Sequence, residues 1–79
     1  MLIAPALGQQ TASDWVNKGE ALLNLSKYNE SIDAYNKAIE LNQSYAAAWN
    51  NKGIALKALG RTAEAKVALA KARELGYMG

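Results

Sequence analysis

Seventy-nine residues without a cysteine or a histidine exclude a disulfide framework, a thiol nucleophile, the commonest metal ligand and the usual general base. The chain is 51% hydrophobic and 20% charged, too apolar for a disordered segment and sized for one small helical domain. Its net charge of +2 is no nucleic-acid footprint, yet it is unevenly spread. Lys18, Lys27 and Lys37 face Asp14, Glu20, Glu30, Asp33 and Glu40 in residues 1–45, whereas Lys52, Lys57, Arg61, Lys66, Lys71 and Arg73 face Glu64 and Glu74 in residues 46–79. An acidic half and a basic half attract each other within one molecule or between copies.

Residues 1–11 hold the single proline, Pro5. Leu2 to Leu7 followed by Gly8 resembles the tail of a signal peptide, with Ala6 and Gly8 as the small residues before a cut. The run is short and has no basic flank, so a flexible leader or linker remnant is the preferred reading. A soluble, cytoplasmic protein is then favoured, with export as the alternative. A membrane span needs about 20 apolar residues, and no stretch here qualifies.

From Ser13 the pattern is helical. Thr11 or Ser13 can cap the start, and Asp14 suits the first turn by its charge. Trp15, Gly19, Leu22 and Ser26 fall on one face. Ser26 to Asn29 interrupts the pattern, and a second helix is expected from about Asn29 to Leu41. Its Ser31, Tyr35 and Ala38 form a stripe that can meet the first helix. Between Glu40 and Ala48 no proline stops the chain. A tight turn at Asn42 to Ser44 is preferred, because Asn and Ser suit turns. The alternative is one continuous helix across residues 40–48, which would open the molecule for a domain-swapped dimer. Beyond it, Trp49, Gly53, Leu56 and Gly60 repeat the first stripe and face Ala65, Leu69 and Ala72. Thr62 is the expected cap of the last helix, and Gly76 stands where a left-handed stop belongs.

The second half is a copy of the first. Trp15-Val16-Asn17-Lys18-Gly19-Glu20-Ala21-Leu22 returns 34 residues later as Trp49-Asn50-Asn51-Lys52-Gly53-Ile54-Ala55-Leu56. The register holds at Lys27 and Arg61, Glu30 and Glu64, Ala38 and Ala72, Glu40 and Glu74, and Leu41 and Leu75. A period in this range marks a stacked repeat architecture. Gly19 and Gly53 lie inside helices, where each costs about 1 kcal/mol relative to alanine. Both sit on the inward stripe, which predicts close approach of the partner helix at Tyr35 and Leu69.

Two helices per unit, with Trp15, Gly19, Leu22, Ser31, Tyr35 and Ala38 in residues 12–45 and Trp49, Gly53, Leu56, Ala65, Leu69 and Ala72 in residues 46–79, resemble the tetratricopeptide repeat. The resemblance spans the chain from residue 12 onward. Lys18 and Lys52 stand where the family usually has leucine, and Leu69 where it has an aromatic. Ser31 replaces a small alanine, and Gln43 and Tyr77 replace the closing proline. The resemblance implies an all-α fold of two antiparallel helix-turn-helix repeats, four helices stacked as a short right-handed α-solenoid. Where copy one has Ile32 and Ile39 on the side turned to the next repeat, copy two has Lys66 and Arg73, and Asp14 answers Ala48. An apolar inner junction between charged outer edges is the pattern of terminal repeats, so two complete repeats are expected rather than a pair excised from a longer array. Arrays of this kind usually need three or more units, which makes self-association the second expectation.

The resemblance also implies where a partner would bind, since the first helices of such repeats line a concave groove. Its positions here are Ser13, Val16, Glu20 and Leu23, then Ala47, Asn50, Ile54 and Lys57, flanked by Asn17, Asn24 and Asn51. Small apolar contacts mixed with amides suit an extended peptide backbone. A clamp for a terminal carboxylate, known in one subclass, is disfavoured: Asn51 fits it, but Val16 and Glu20 replace its lysine and asparagine, and Glu20 would repel the carboxylate. The remaining carboxylates read as solvated faces without an acid–base pair. No catalytic residue, metal ligand or cofactor site is expected, nor a nucleic-acid partner. The expected function is a non-enzymatic module that binds an unidentified protein or peptide, with a homo-oligomer as the alternative.

Overall fold

Four helices make up the regular structure of residues 10–77, the part of the chain that this computed structural model describes: α1 (Ala12–Asn24), α2 (Tyr28–Leu41), α3 (Ala46–Ala58) and α4 (Thr62–Glu74). The leader expected over residues 1–11, signal-like segment included, falls almost wholly outside the described residues. None of the four helices is long and apolar enough to cross a membrane.

Helix starts follow from local side chains. Thr11, not Ser13, caps α1 in a reciprocal box: its hydroxyl accepts the Asp14 N–H at 3.1 Å, and the Asp14 carboxylate accepts the Thr11 N–H at 3.1 Å. The expectation for α4 needs correcting. Thr62 is its first residue and Arg61 its cap position, without a side-chain cap bond. The Thr62 hydroxyl donates back to the Gly60 carbonyl at 3.5 Å. A bidentate Arg61–Glu64 pair, 2.7 and 2.8 Å, stands over that first turn instead.

Helix ends follow from backbone geometry. α1, α3 and α4 each close in a Schellman motif, with Lys27, Arg61 and Tyr77 donating to the carbonyls of Leu22, Leu56 and Ala72. The motif needs a left-handed residue, which is Gly60 at φ +79° and Gly76 at φ +96° but Ser26 at φ +61° in the first copy. α2 ends without it: Asn42 is extended, at φ −153°. The Asn42 side-chain oxygen then accepts the Ser44 N–H at 3.0 Å, and the Trp49 indole donates to the Gln43 carbonyl at 3.0 Å. A tight, pinned turn thus replaces the family's closing proline. The continuous helix considered across residues 40–48 is not formed, because these side-chain bonds offer the backbone an alternative to helix.

Each hairpin packs its two helices together, α2 lies against α3 at the junction, and α1 meets α3 more sparingly. Buried side chains form two clusters. One joins Val16, Tyr35, Ala38 and Ala48; the other joins Ile32, Ala55, Leu56, Ala65 and Ala68. Most of these residues are alanines, so the helix axes approach closely and fine changes in volume are felt. The charged edges stay outside, with Asp14, Lys66 and Arg73 exposed.

The tightest contact is at the two helical glycines. A Cβ on Gly19 would stand 2.5 Å from Cε1 of the Tyr35 ring, and one on Gly53 would stand 2.7 Å from the Leu69 side chain. A rigid ring cannot yield as a leucine tip can. Gly19→Ala is therefore expected to destabilise the chain by about 1–3 kcal/mol through overpacking, outweighing the roughly 1 kcal/mol gained in helix propensity. Gly53→Ala should cost less. The paired change Gly19→Ala with Tyr35→Leu, which copies the second hairpin, should recover part of the loss; urea unfolding of the four chains measures the series.

Candidate functional site

The expected groove positions separate into three groups. Asn17, Glu20 and Asn24 on α1 and Ile54 and Lys57 on α3 are exposed, with Ser13 beside them. Asn50, Asn51 and Ala47 are half-buried, and Leu23 is half-buried because it packs against the cluster around Ile32 and Leu56. Val16 is the exception. At 4% exposure it fills the space between Tyr35, Ala38 and Ala48, so it is a core residue and offers nothing to a ligand. Its counterpart Asn50 is covered less, because among the described residues no further helix packs on α3 as α3 packs on α1.

One contact ties the two walls together. The Asn51 side-chain amide donates to the Glu20 carboxylate at 3.4 Å, linking α3 to α1 across 31 residues of sequence. The Tyr35 hydroxyl lies near both. Tyr35 is 0% exposed, its ring is pressed on Gly19, and its hydroxyl has no well-formed hydrogen bond among the described residues. Its pKa is pushed up to about 12, chiefly by burial, with the Glu20 charge adding to the rise and the neighbouring Asn51 amide opposing it. A neutral, unpaired donor therefore sits under an acidic and an amide group. Periodicity read Tyr35 as a core aromatic, and nothing in the sequence distinguishes a satisfied hydroxyl from an orphaned one.

Of the clefts that lie elsewhere, two are copies of each other. Trp15, Lys18, Leu22, Glu30, Asp33, Ala34 and Lys37 line one of about 270 Å³ between α1 and α2. Trp49, Lys52, Leu56, Glu64, Val67 and Ala68 line one of about 200 Å³ between α3 and α4. In each, a lysine ammonium lies over the tryptophan ring, 5.1 Å for Lys18 on Trp15 and 5.5 Å for Lys52 on Trp49. This explains lysine in place of the family's leucine: the stem packs and the head meets the ring face. The repeated Trp-x-x-Lys spacing carried that signal. Desolvation lowers the Lys52 pKa, with Glu64 opposing and Arg61 adding to the effect. Each cleft's aromatic is thus occupied by its own chain. Neither cleft is lined by an expected groove residue.

Among the described residues no three carboxylates, histidines or cysteines gather as a metal site. A family model described as TPR repeat matches residues 19–60, and one described as Tetratricopeptide repeat matches residues 46–75. No curated protein matches the chain.

The Tyr35 hydroxyl gives the site a pH signature. Its pKa is higher in the folded chain than in the unfolded one, so its contribution is intact below pH 10 and is lost as pH rises towards about 12. By pH 12 the loss should reach roughly 2 kcal/mol. Tyr35→Phe should remove that component, and the difference between the two chains' unfolding curves across this window measures it.

Proposed function

The chain belongs to the tetratricopeptide-repeat family, whose repeats mediate protein–protein interaction, and from that premise we propose that it seats an extended peptide segment in the groove between α1 and α3. The observation that carries this reading is the row of side-chain amides along both walls. Asn17, Asn24 and Asn50 have no side-chain hydrogen bond among the described residues, and Asn51 has a single long one, to Glu20. Each carboxamide offers two donors and an acceptor, the complement that an extended backbone requires. Ile54, 44% exposed on α3, adds an apolar contact in the same row. The clefts near the tryptophans compete poorly, since lysines cover the rings. In this reading the module is non-catalytic and needs no cofactor.

Replacing Asn17, Asn24 and Asn50 together with alanine tests the reading. These side chains are exposed or half-buried, so helicity should be preserved. Capture of a partner from lysate, identified by mass spectrometry, should weaken by about tenfold or more, given about 0.5–1.5 kcal/mol per hydrogen bond. Unchanged capture would remove the groove from the mechanism.

A second reading rests on a different observation. At the inner junction Ile39 packs beside Ala48 and Tyr45, and Ile32 packs in the cluster with Ala55 and Leu59. Shifted by one repeat, the same geometry would place Arg73 of one copy at Asp14 of another and Lys66 at Ala21 and Leu25. Leu25 is 65% exposed, so this head-to-tail stacking would cover an apolar residue and pair opposite charges. Sedimentation across concentration should show a weak association that falls with salt and with Arg73→Glu. A single monomeric species at millimolar concentration would end this reading.

A further inference from the structure

We propose that Glu20, supported by Asn51 and the Tyr35 hydroxyl, is the groove's station for a cationic side chain, a lysine or arginine of the bound segment. The proposal rests on the groove reading above and adds the chemistry of what the groove selects.

Glu20 is exposed on the wall of α1, and among the described residues its one hydrogen bond is the long contact from Asn51 at 3.4 Å. A carboxylate has about four acceptor sites, so most of its capacity faces the groove unused. An ammonium or guanidinium meets such a group with short, charge-assisted bonds, bidentate for arginine. No lysine or arginine of the chain makes an ion pair with Glu20 among the described residues; the pairs that form are Arg61 with Glu64 and Lys71 with Glu74. The nearest cation of α1, Lys18, is turned to the Trp15 ring. Glu20 also stands where the second copy has Ile54, so the charge belongs to the part of the groove that repetition does not explain.

The second, independent observation is the orphaned donor beneath. The Tyr35 hydroxyl is fully buried and close to Glu20 and Asn51; the Asn51 amide approaches it, but among the described residues no hydrogen bond of good geometry reaches it. Asn51 holds both a donor and an acceptor. In the free chain its NH₂ group is drawn to Glu20. Once a cation satisfies Glu20, Asn51 is released and its carbonyl oxygen can turn to accept the Tyr35 O–H. Binding then satisfies a buried group that the free chain leaves unpaired, a gain that a neutral side chain at Glu20 cannot bring. A terminal carboxylate would meet the opposite response, since it repels Glu20.

A random nonapeptide display library, selected on the 79-residue chain and on its Glu20→Gln variant, tests this. The native chain should enrich peptides with lysine or arginine at one fixed position, and Glu20→Gln should not. For a selected arginine peptide, citrulline in place of the arginine should raise Kd by about tenfold or more, as for a hydrogen bond to a charged group, with less than about twofold change on Glu20→Gln. Tyr35→Phe should weaken the arginine peptide by about fivefold, the scale of one neutral hydrogen bond, and leave the citrulline peptide unaffected. Amide shifts on titration show where the peptides lie. Peptides that perturb Asn17, Glu20, Asn51 and Ile54 but carry no fixed cation would overturn the station and leave the groove standing. Peptides that perturb other faces, or no enrichment at all, would overturn the groove and the station together. An arginine preference insensitive to Tyr35→Phe would overturn the Asn51 handover.

Discussion

A tyrosine ring laid on bare backbone is the contact from which the first hairpin is built. Helix propensity argues against glycine at position 19 by about 1 kcal/mol, but a Cβ there would stand 2.5 Å from the Tyr35 ring. Removing that atom lets α1 and α2 close until the ring is fully buried. Burial of a large side chain contributes about 1.5–3 kcal/mol, so packing outweighs propensity. The same closeness has a chemical consequence. A phenol pressed on Gly19 has its hydroxyl close enough to Glu20, the next residue on α1, and to Asn51 on α3 to feel both. Fold and candidate site therefore share one contact.

The second hairpin shows what happens when that contact is altered. Leu69 replaces Tyr35, the clearance over Gly53 is similar, and no hydroxyl enters. The backbone copies itself while the polar feature occurs once. What differs at the edges follows the same logic. Ile32 and Ala48 are buried at the inner junction, and their shifted or opposing counterparts, Lys66 and Asp14, are exposed. A repeat protein is a sum of units and interfaces, and here the interface residues, together with the exchange of Tyr35 for Leu69 inside the unit, distinguish one copy from the other.

Much of this was legible in the sequence because the main packing contacts of the fold are written twice. Gly19 with Gly53, and Tyr35 with Leu69, specify the helix pairing, and Ser31, Tyr35 and Ala38 mark the buried stripe. Three points were not legible, each for a physical reason. Val16 sits at the margin of the wheel, where a small rotation of α1 decides between groove and core; Ala48 lying over it settles the matter. Thr62 looked like a cap because its type is right, but it lies one residue inside the helix, a shift too small for composition to detect. The Tyr35 hydroxyl was hidden because burial and hydrogen-bond satisfaction are separate properties, and an aromatic at a core position reports the first alone.

The turn between the hairpins couples these observations. Without the family's proline, α2 stops at Asn42 through a side-chain bond to Ser44, and the Trp49 indole fastens the turn from the far side through Gln43. Trp49 also packs against the cluster of Ile32 and Leu56 and holds Lys52 over its ring. One side chain thus sets the start of α3, part of its burial and the state of its own cleft. The position of Asn51 follows, since it is two residues from that anchor on the same helix. The distance of 3.4 Å between Asn51 and Glu20 is then fixed from two directions, by Trp49 on one wall and by Gly19 against Tyr35 on the other. Tyr35 apart, both walls of the proposed groove are held by repeated residues, which leaves the unrepeated Glu20, Asn50 and Ile54 free to vary in chemistry without altering the frame that presents them.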